Sequence, residues 1–330
     1  MASPRHCQRL MTGKGTPPHR KKLNRYGCKA NSTDPEENMI SASSGIENAR
    51  LARLTVPCLT TSAVTRLQKI IYEYYHEHGR ALPWRATDDP YHIFVSEIML
   101  QQTQVERVMA KYEQFVAAFP CFFSLAHATL REILKVWQGM GYNRRAQALK
   151  KSAELVMEQF HGQLPSSPEE LMTLPGVGRT TASAIAAFAF QEPTVFVETN
   201  IRTVFIHFFF RHSGPVKDSE IIPLVARTLD TTNPRKWYYA LMDYGVMLKK
   251  KHQNPSRKSA HYKKQGPFKG SNREIRGMIL RVLLAKPHCS ERELTESLSV
   301  DPERVNGLLT ILQKEGFVKK TGTRFAIAHG

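Results

Sequence analysis

The chain has 330 residues, enough for one large or two modest domains with a buried core. Hydrophobic residues make up 41% of it, and no stretch approaches the roughly 20 apolar residues of a membrane span, so we expect no membrane partner. Lysine and arginine outnumber aspartate and glutamate by 47 to 29, and the formal net charge of +18 favours a polyanionic partner, nucleic acid first.

The N-terminal residues 1–62 show no sustained periodicity and are rich in Ser, Thr, Pro, Lys and Arg. This composition predicts a disordered basic extension. The five cysteines are scattered without metal-like spacing and the first 22 residues lack the apolar core of a secretory signal, so we expect a cytoplasmic protein with reduced thiols. With nucleic acid as its expected partner, it would be associated with the nucleoid.

The central residues 63–266 form a succession of short helical patterns with few strand signals. Apolar residues recur at helical spacing from Ala63 to His78, and a single helix is predicted from Ile93 to Met109. Thr180 to Phe190 is rich in alanine, which suits a closely packed helix. The sequence therefore predicts an all-α core.

The last residues, 270–328, have a different pattern. Three helices are predicted at Asn272–Leu284, Glu291–Leu298 and Pro302–Glu315, the last two with N-caps at Ser290 and Asp301. A hairpin is expected around Thr321-Gly322. Three helices followed by a hairpin predict a small winged-helix-like α+β module, whose partner, DNA or protein, stays open.

The segment LPGVGRTTA, from Leu174 to Ala182, separates two helical patterns. Gly176 and Gly178 permit a tight turn with close approach of a ligand to the backbone. The free N–H groups at the start of the next helix, with Arg179 and Thr180, would suit a phosphate oxygen whatever the base sequence. For the glycines alone, a plain turn between helices is the alternative.

The extended segment LPGVGRTTASAIAAFAF resembles the helix-hairpin-helix of the endonuclease III superfamily. LPWR, SEIMLQQTQV, WQGMGYNRRA and VETNIRTV are similar, in order and spacing, to its adenine glycosylase (MutY-type) branch, over about Val64 to Met247. The resemblance implies a two-lobed DNA glycosylase core used in base excision repair. It implies a monomer that acts on double-stranded DNA carrying a mismatch or lesion and hydrolyses the N-glycosidic bond of adenine mispaired with guanine or 8-oxoguanine.

Breaking an N-glycosidic bond calls for an acid that protonates the base and a carboxylate that stabilises the sugar cation. Glu97 lies in a largely apolar helix, where burial would favour a protonated donor; its alternative is to start that helix and interact with the dipole. The resemblance assigns proton donation to Glu97. Glu198 stands where the family normally has the aspartate that stabilises the cation, and its alternative is to cap the next helix.

Several residues are candidates for DNA contact. Gln101 and Gln102 follow Glu97 on the same predicted helix, and the resemblance places them at the lesion. Tyr142 is a candidate wedge between bases, and Arg144 and Arg145 are candidate phosphate contacts. The hairpin adds its own phosphate site, formed by Gly176, Gly178, Arg179 and Thr180. Asp243 is expected to be structural.

Two features of the resemblance concern missing groups. Bifunctional relatives carry a lysine nucleophile where this chain has Thr180, so we expect a monofunctional glycosylase. Many relatives hold an iron–sulfur cluster on four cysteines, and this chain presents Lys249, Ser256, Ser259 and Gln265 at those places. No metal site is predicted, and the cluster is expected to be absent.

Other functions stay open at this level. A thymine or uracil mismatch glycosylase, or a weak abasic-site lyase, would share the helix-hairpin-helix. The longer Glu198 side chain also leaves a non-catalytic DNA-binding protein possible. A winged-helix-like module stands where relatives carry a Nudix-like domain that senses 8-oxoguanine, so the opposite base is not fixed by the resemblance.

Overall fold

The structure, a computed structural model, describes residues 59–210, 213–252, 254–262 and 266–328. The predicted basic extension lies almost entirely outside these ranges. Among the described residues, no helix is long and apolar enough to cross a bilayer.

Helices dominate the described part of the chain, which confirms the predicted fold class. The α-helices before residue 266 are α1 Thr61–His78, α2 Pro90–Leu100, α3 Val105–Ala118, α4 Phe122–His127, α5 Leu130–Trp137, α6 Arg144–Gln159, α7 Pro168–Leu171, α8 Arg179–Phe190, α9 Thr199–Phe209, α10 Asp218–Thr228 and α11 Pro234–Lys251. Short 3-10 turns span Pro83–Arg85 and Pro255–Lys258.

The chain divides into two compact units. Unit 1 contains the described part of Met1–Arg80 together with Val195–Tyr262, and unit 2 contains Ala81–Thr194 together with the described part of Lys263–Gly330. The sequence-based boundaries at 62, 266 and 270 stay a prediction, and the two units do not follow them.

Unit 1 is built from α1, α9, α10 and α11. Trp237 and Tyr238 on α11 are fully buried, as are Ile71 on α1 and Phe205 on α9. Gly245 allows α11 to approach the start of α9 closely, because a Cβ atom there would lie 2.8 Å from the carbonyl carbon of Asn200 and closer still to its oxygen.

Unit 2 contains α2 to α8 around a continuous hydrophobic core. Helix α2 is buried on nearly every side, which explains its almost uniformly apolar sequence. The small side chains of α8 from Ala182 to Ala187 are buried and allow α2 to pack closely against it. The alanine-rich pattern therefore predicted this close packing correctly.

The single helix predicted from Ile93 to Met109 is wrong. Helix α2 ends at Leu100 and α3 begins at Val105, so Gln101 and Gln102 lie in a turn. The guanidinium of Arg145 donates hydrogen bonds to the carbonyl oxygens of Met99 and Gln101, both at 2.6 Å. Because these oxygens have a partner outside the helix, the helix can end without losing their hydrogen bonds.

The C-terminal part of unit 2 has the winged-helix order. Its elements are α12 Asn272–Ala285, β1 Cys289–Ser290, α13 Glu291–Leu298, α14 Pro302–Lys314, β2 Val318–Thr321 and β3 Arg324–Ile327. The strands form an antiparallel sheet in the order β1-β3-β2. Ser290 and Asp301 accept N–H bonds from Glu293 and Arg304, which confirms both predicted N-caps.

Candidate functional site

Glu97 lies in the last turn of α2 and is half-buried, whereas Ser96, Ile98 and Met99 beside it are buried. Glu97 is therefore partly accessible to solvent, unlike its neighbours. The helix-starting alternative is wrong, because α2 begins at Pro90 and Asp89 caps it by accepting the N–H of Tyr91 at 2.8 Å. The C-terminal end of a helix carries partial negative charge, so helix stability does not explain a glutamate at this place.

The turn after Glu97 connects α2 to the glycine hairpin. The Gln101 amide donates to the carbonyl oxygen of Gly176 at 2.9 Å and to Thr181 Oγ1 at 3.3 Å. Gln102 is exposed and has a φ of +53°, which is uncommon for a residue other than glycine. Gln101 is thus a fixed connection between two predicted DNA-contacting segments, and Gln102 is the more accessible amide.

The hairpin has the geometry that the sequence predicts. Gly176 has a φ of +80°, and a Cβ atom there would lie 2.9 Å from the Cβ of Ala148. Helix α8 begins at Arg179 directly after Gly178, and no side chain caps it. Gly176, Gly178, Arg179 and Thr180 are all exposed. Uncapped N–H groups on an exposed turn suit a phosphate oxygen.

Buried anchors hold this hairpin in place. Leu174 and Val177 pack into the core of unit 2 on either side of the exposed Gly176. The Ser152 hydroxyl on α6 donates to the carbonyl oxygen of Pro175 at 3.1 Å. The hairpin is therefore fixed to α6 and α2 as well as to its own helix.

Tyr142 has a φ of +47°, a second strained position among the predicted DNA contacts. Its hydroxyl accepts a long hydrogen bond of 3.4 Å from Arg273 of α12. Arg144 has a side chain that is 71% exposed and forms an ion pair with Glu315. The phosphate contact of Arg144 stays a prediction. To make that contact, the guanidinium would have to share or leave its carboxylate partner, Glu315.

The phosphate contact predicted for Arg145 is wrong, because this residue is buried. Besides Met99 and Gln101, its guanidinium donates to the carbonyls of Ile98 at 3.2 Å and Gly141 at 3.3 Å, and to Thr103 Oγ1 at 2.8 Å. It also lies over the rings of Trp137 and Tyr142. Burial lowers the pKa of Arg145 to about 10.

Arg145 thus fixes the Gln101–Thr103 turn and the Gly141–Tyr142 turn at the same time. Sequence reasoning missed this role by treating Arg144 and Arg145 as an equivalent pair. Helical spacing places Arg145 on the same face as Leu149, Ser152 and Val156, all of them buried, and could have distinguished the two.

In unit 1, Glu198 is the N-cap of α9, the alternative considered for it. Its Oε1 accepts the backbone N–H groups of Asn200 at 2.7 Å and Ile201 at 2.9 Å. Its Oε2 accepts Asn200 Nδ2 at 3.2 Å. Capping and a role in chemistry are compatible, because a half-buried carboxylate fixed by three donors has a defined direction.

Two residues of α11, Lys249 and Asp243, make further contacts within unit 1. Lys249 Nζ donates to Asn200 Oδ1 at 2.7 Å. Burial lowers the pKa of Lys249, and the negative charge of Glu198 opposes that shift. Asp243, buried on the same helix, accepts from Arg80 Nε at 2.7 Å and from the backbone N–H of Arg80 at 2.8 Å, which confirms its structural role.

The residues at the cluster positions do not fit an iron–sulfur cluster. Lys249 is bonded to Asn200, and the Ser256 hydroxyl is buried and donates to Asn254 Oδ1 at 2.7 Å. Ser259 pairs with Val216 in a short parallel bridge. An amine and two hydroxyls are not the thiolates that such a cluster binds. Gln265 lies outside the described residues, which contain no group of three or more His, Cys, Asp or Glu side chains suited to a metal.

Glu97, Gln101, Gln102, Tyr142, Arg144 and the hairpin residues all belong to unit 2, and Glu198 belongs to unit 1. Within unit 2 the structure connects the predicted DNA contacts through Arg145 and Gln101.

The chain is similar to proteins of base excision DNA repair. Residues 95–222, which include both carboxylates and the hairpin, match the family model of the HhH-GPD superfamily base excision DNA repair protein. A solved thermostable thymine-DNA glycosylase is similar in fold, with a TM-score of 0.50 and 26% identity over 56% of this chain and 86% of that one.

Among curated relatives, an adenine DNA glycosylase of Buchnera aphidicola is 36% identical over 54% of this chain and 51% of its own length. This chain thus spans about half of that relative. An adenine DNA glycosylase of Mycolicibacterium smegmatis is 30% identical over 78% of this chain and 94% of its own length. With nearly the whole of that relative matched, the chain belongs to the HhH-GPD superfamily of base excision DNA repair proteins, beside the adenine DNA glycosylases.

Proposed function

We propose that the chain is a monofunctional DNA glycosylase that hydrolyses the N-glycosidic bond of adenine mispaired with guanine or 8-oxoguanine. The observation that carries the proposal is Glu97. It is half-buried, is placed at a helix end where it adds no helix stability, and lies one helical turn before Gln101, whose side chain is fixed to the exposed hairpin.

In this reaction, Glu97 as an acid donates a proton to the adenine ring while the bond between the base and C1′ of the sugar breaks. Adenine leaves with that proton, and the Glu198 carboxylate stabilises the positive charge that develops on the sugar. Water then adds to C1′ and gives its proton to the Glu97 carboxylate, which restores the acid and leaves an abasic site. Thr180 supplies no amine for strand cleavage.

The proposed partner is double-stranded DNA. We propose that the protein binds it as a monomer and is associated with the nucleoid. The net charge of +18 supports binding to a polyanion. The exposed turn of Gly176 and Gly178, followed by an uncapped helix, supports a sequence-independent phosphate contact.

The test uses duplexes that carry A, T or U opposite G or 8-oxoguanine, with and without an alkaline step. We expect strand breaks in the A-containing strand that depend on alkali. Release of thymine but not adenine would favour the second candidate, a thymine mismatch glycosylase, which the similarity to the solved thymine-DNA glycosylase supports. No base release from any duplex at excess protein would overturn both.

The Glu97→Gln variant tests the assignment of the acid. It should lower base release by about 10²-fold or more while duplex binding survives. Survival of binding with loss of release separates an enzyme from a non-catalytic DNA-binding protein. Unchanged release in this variant would contradict the role of Glu97.

We also propose that the protein works without an iron–sulfur cluster. The buried Ser256 and the Lys249–Asn200 hydrogen bond support this proposal. Iron and sulfide analysis of the purified protein should find neither, in a preparation that still releases base. Stoichiometric iron and sulfide would contradict it.

A further inference from the structure

The side chain of Lys249 is half-buried and, among the described residues, forms no salt bridge with a carboxylate. Its Nζ donates to Asn200 Oδ1 at 2.7 Å, and Asn200 Nδ2 donates to Glu198 Oε2 at 3.2 Å. These two hydrogen bonds connect the ammonium to the carboxylate through one amide, entirely within unit 1.

The direction of the connection follows from donor chemistry. A lysine ammonium has three donors and no acceptor, whereas an asparagine amide has one acceptor end and one donor end. With Lys249 on one side, Asn200 must present its oxygen to the ammonium and its NH₂ group to Glu198. In the flipped orientation, the amide oxygen would face the carboxylate and the NH₂ group would face the ammonium, so both contacts would be repulsive.

The backbone of Asn200 is also held in place. Gly245 lies so close that a Cβ atom there would be 2.8 Å from the carbonyl carbon of Asn200. The Asn200 backbone N–H donates to Glu198 Oε1 at 2.7 Å. The amide orientation is therefore the main remaining freedom of Asn200, and Lys249 fixes it.

We propose that Lys249, at the position where the resemblance places the first cluster cysteine, is a positioning residue that orients the Glu198 carboxylate through the Asn200 amide. The proposal rests on the proposed function for the claim that Glu198 takes part in base release. In this chain, which has no cysteine at that position, a lysine of α11 would then set the direction of the Glu198 carboxylate.

The experiment compares Lys249→Met with a matched control, Lys250→Met, whose side chain is exposed on the same helix. Under single-turnover conditions at saturating duplex, we expect Lys249→Met to lower the rate of base release by 10- to 100-fold, the range seen when a supporting hydrogen bond is lost. Duplex affinity and the Tm should change little, and Lys250→Met should keep the wild-type rate. Lys249→Arg, which keeps a donor, should recover part of the rate.

A double-mutant cycle separates positioning from a general effect of charge. If Lys249 acts through Asn200, then Lys249→Met combined with Asn200→Ala should release base no more slowly than Asn200→Ala alone. Additive losses would overturn the proposal.

A second readout does not depend on base release. The side-chain amide protons of Asn200, observed by NMR, should exchange more rapidly and shift in Lys249→Met but not in Lys250→Met. If the wild type releases no base, the proposed function fails, while unchanged Asn200 signals in Lys249→Met would overturn the positioning role itself.

Discussion

Arg145 in unit 2 is a buried cation and Lys249 in unit 1 is a half-buried one, and the two make different kinds of contact. Arg145 distributes its hydrogen bonds over four backbone carbonyls and one hydroxyl in two turns. Lys249 makes one hydrogen bond to one side-chain amide. A planar guanidinium with five donors can fix several backbone segments, whereas a compact ammonium suits a single contact. The first residue should therefore matter for folding, and the second for the direction of one catalytic group.

The largest effect should come from Arg145→Met. This change removes the guanidinium donor from the hydrogen bonds to the carbonyl oxygens of Ile98, Met99 and Gln101, at a cost of roughly 3–5 kcal/mol in the free energy of unfolding. The measurement is urea unfolding. Arg144→Met, whose side chain is mostly exposed, is the matched control and should cost about 1 kcal/mol or less. If the two variants lost the same free energy of unfolding, Arg145 would have no special role in folding, and the contrast with Lys249 would fail.

Gly245→Ala tests the other side of the comparison. The new methyl group would press on the backbone of Asn200, so we expect a loss of roughly 1–3 kcal/mol in stability and slower base release. Gly277→Ala on α12 is the control, because nothing lies within 4 Å of a Cβ atom there. It should stabilise the chain by roughly 0.5–1 kcal/mol. If Gly245→Ala behaved like Gly277→Ala, Asn200 would not be held by the approach of α11.

Gly176→Ala should have an intermediate effect, concentrated on DNA binding. A φ of +80° is strained for alanine by roughly 1–2 kcal/mol, and the methyl group would also meet Ala148. Fluorescence anisotropy with an undamaged duplex should report weaker binding. Gly277→Ala, where an added Cβ atom meets nothing within 4 Å, is the control and should bind normally. Wild-type affinity in Gly176→Ala would contradict the hairpin as a phosphate site.

The smallest effect concerns acid stability. Hydrogen bonds from Arg276, with a second contribution from Arg144, lower the pKa of Glu315 from 4.5 to about 2. A carboxylate with a depressed pKa stabilises the fold above its ordinary pKa and loses that contribution as the pH falls. The difference in unfolding free energy between the wild type and Glu315→Gln should therefore shrink between pH 4.5 and about 2. A difference independent of pH would contradict the role of this ion pair.

Much of the fold could be predicted from local patterns. The bounds of α13 agree with the prediction, and those of α12 and α14 differ by one residue, because caps such as Ser290 and Asp301 are local signals. The hairpin could also be predicted, because the turn depends on its own glycines, Gly176 and Gly178, and not on distant residues.

What could not be predicted depends on contacts distant in sequence. The end of α2 at Leu100 is explained by Arg145, which is more than forty residues away in the chain. The Lys249–Asn200 contact likewise joins residues 49 positions apart. Helical periodicity places a residue on a face, but it does not say which carbonyl or amide that face will meet.

The C-terminal module shares one hydrophobic core with the rest of unit 2. Ile279 and Leu309 belong to the same buried cluster as Trp137 and Leu149. Arg131 donates to the carbonyl oxygen of Leu283, and Gln147 donates to that of Glu315. Removing residues 270–328 would therefore uncover apolar surface on α5 and α6, so a shortened protein without them should aggregate. Grafting a foreign lesion-sensing domain in their place would first require those two helices to be resurfaced.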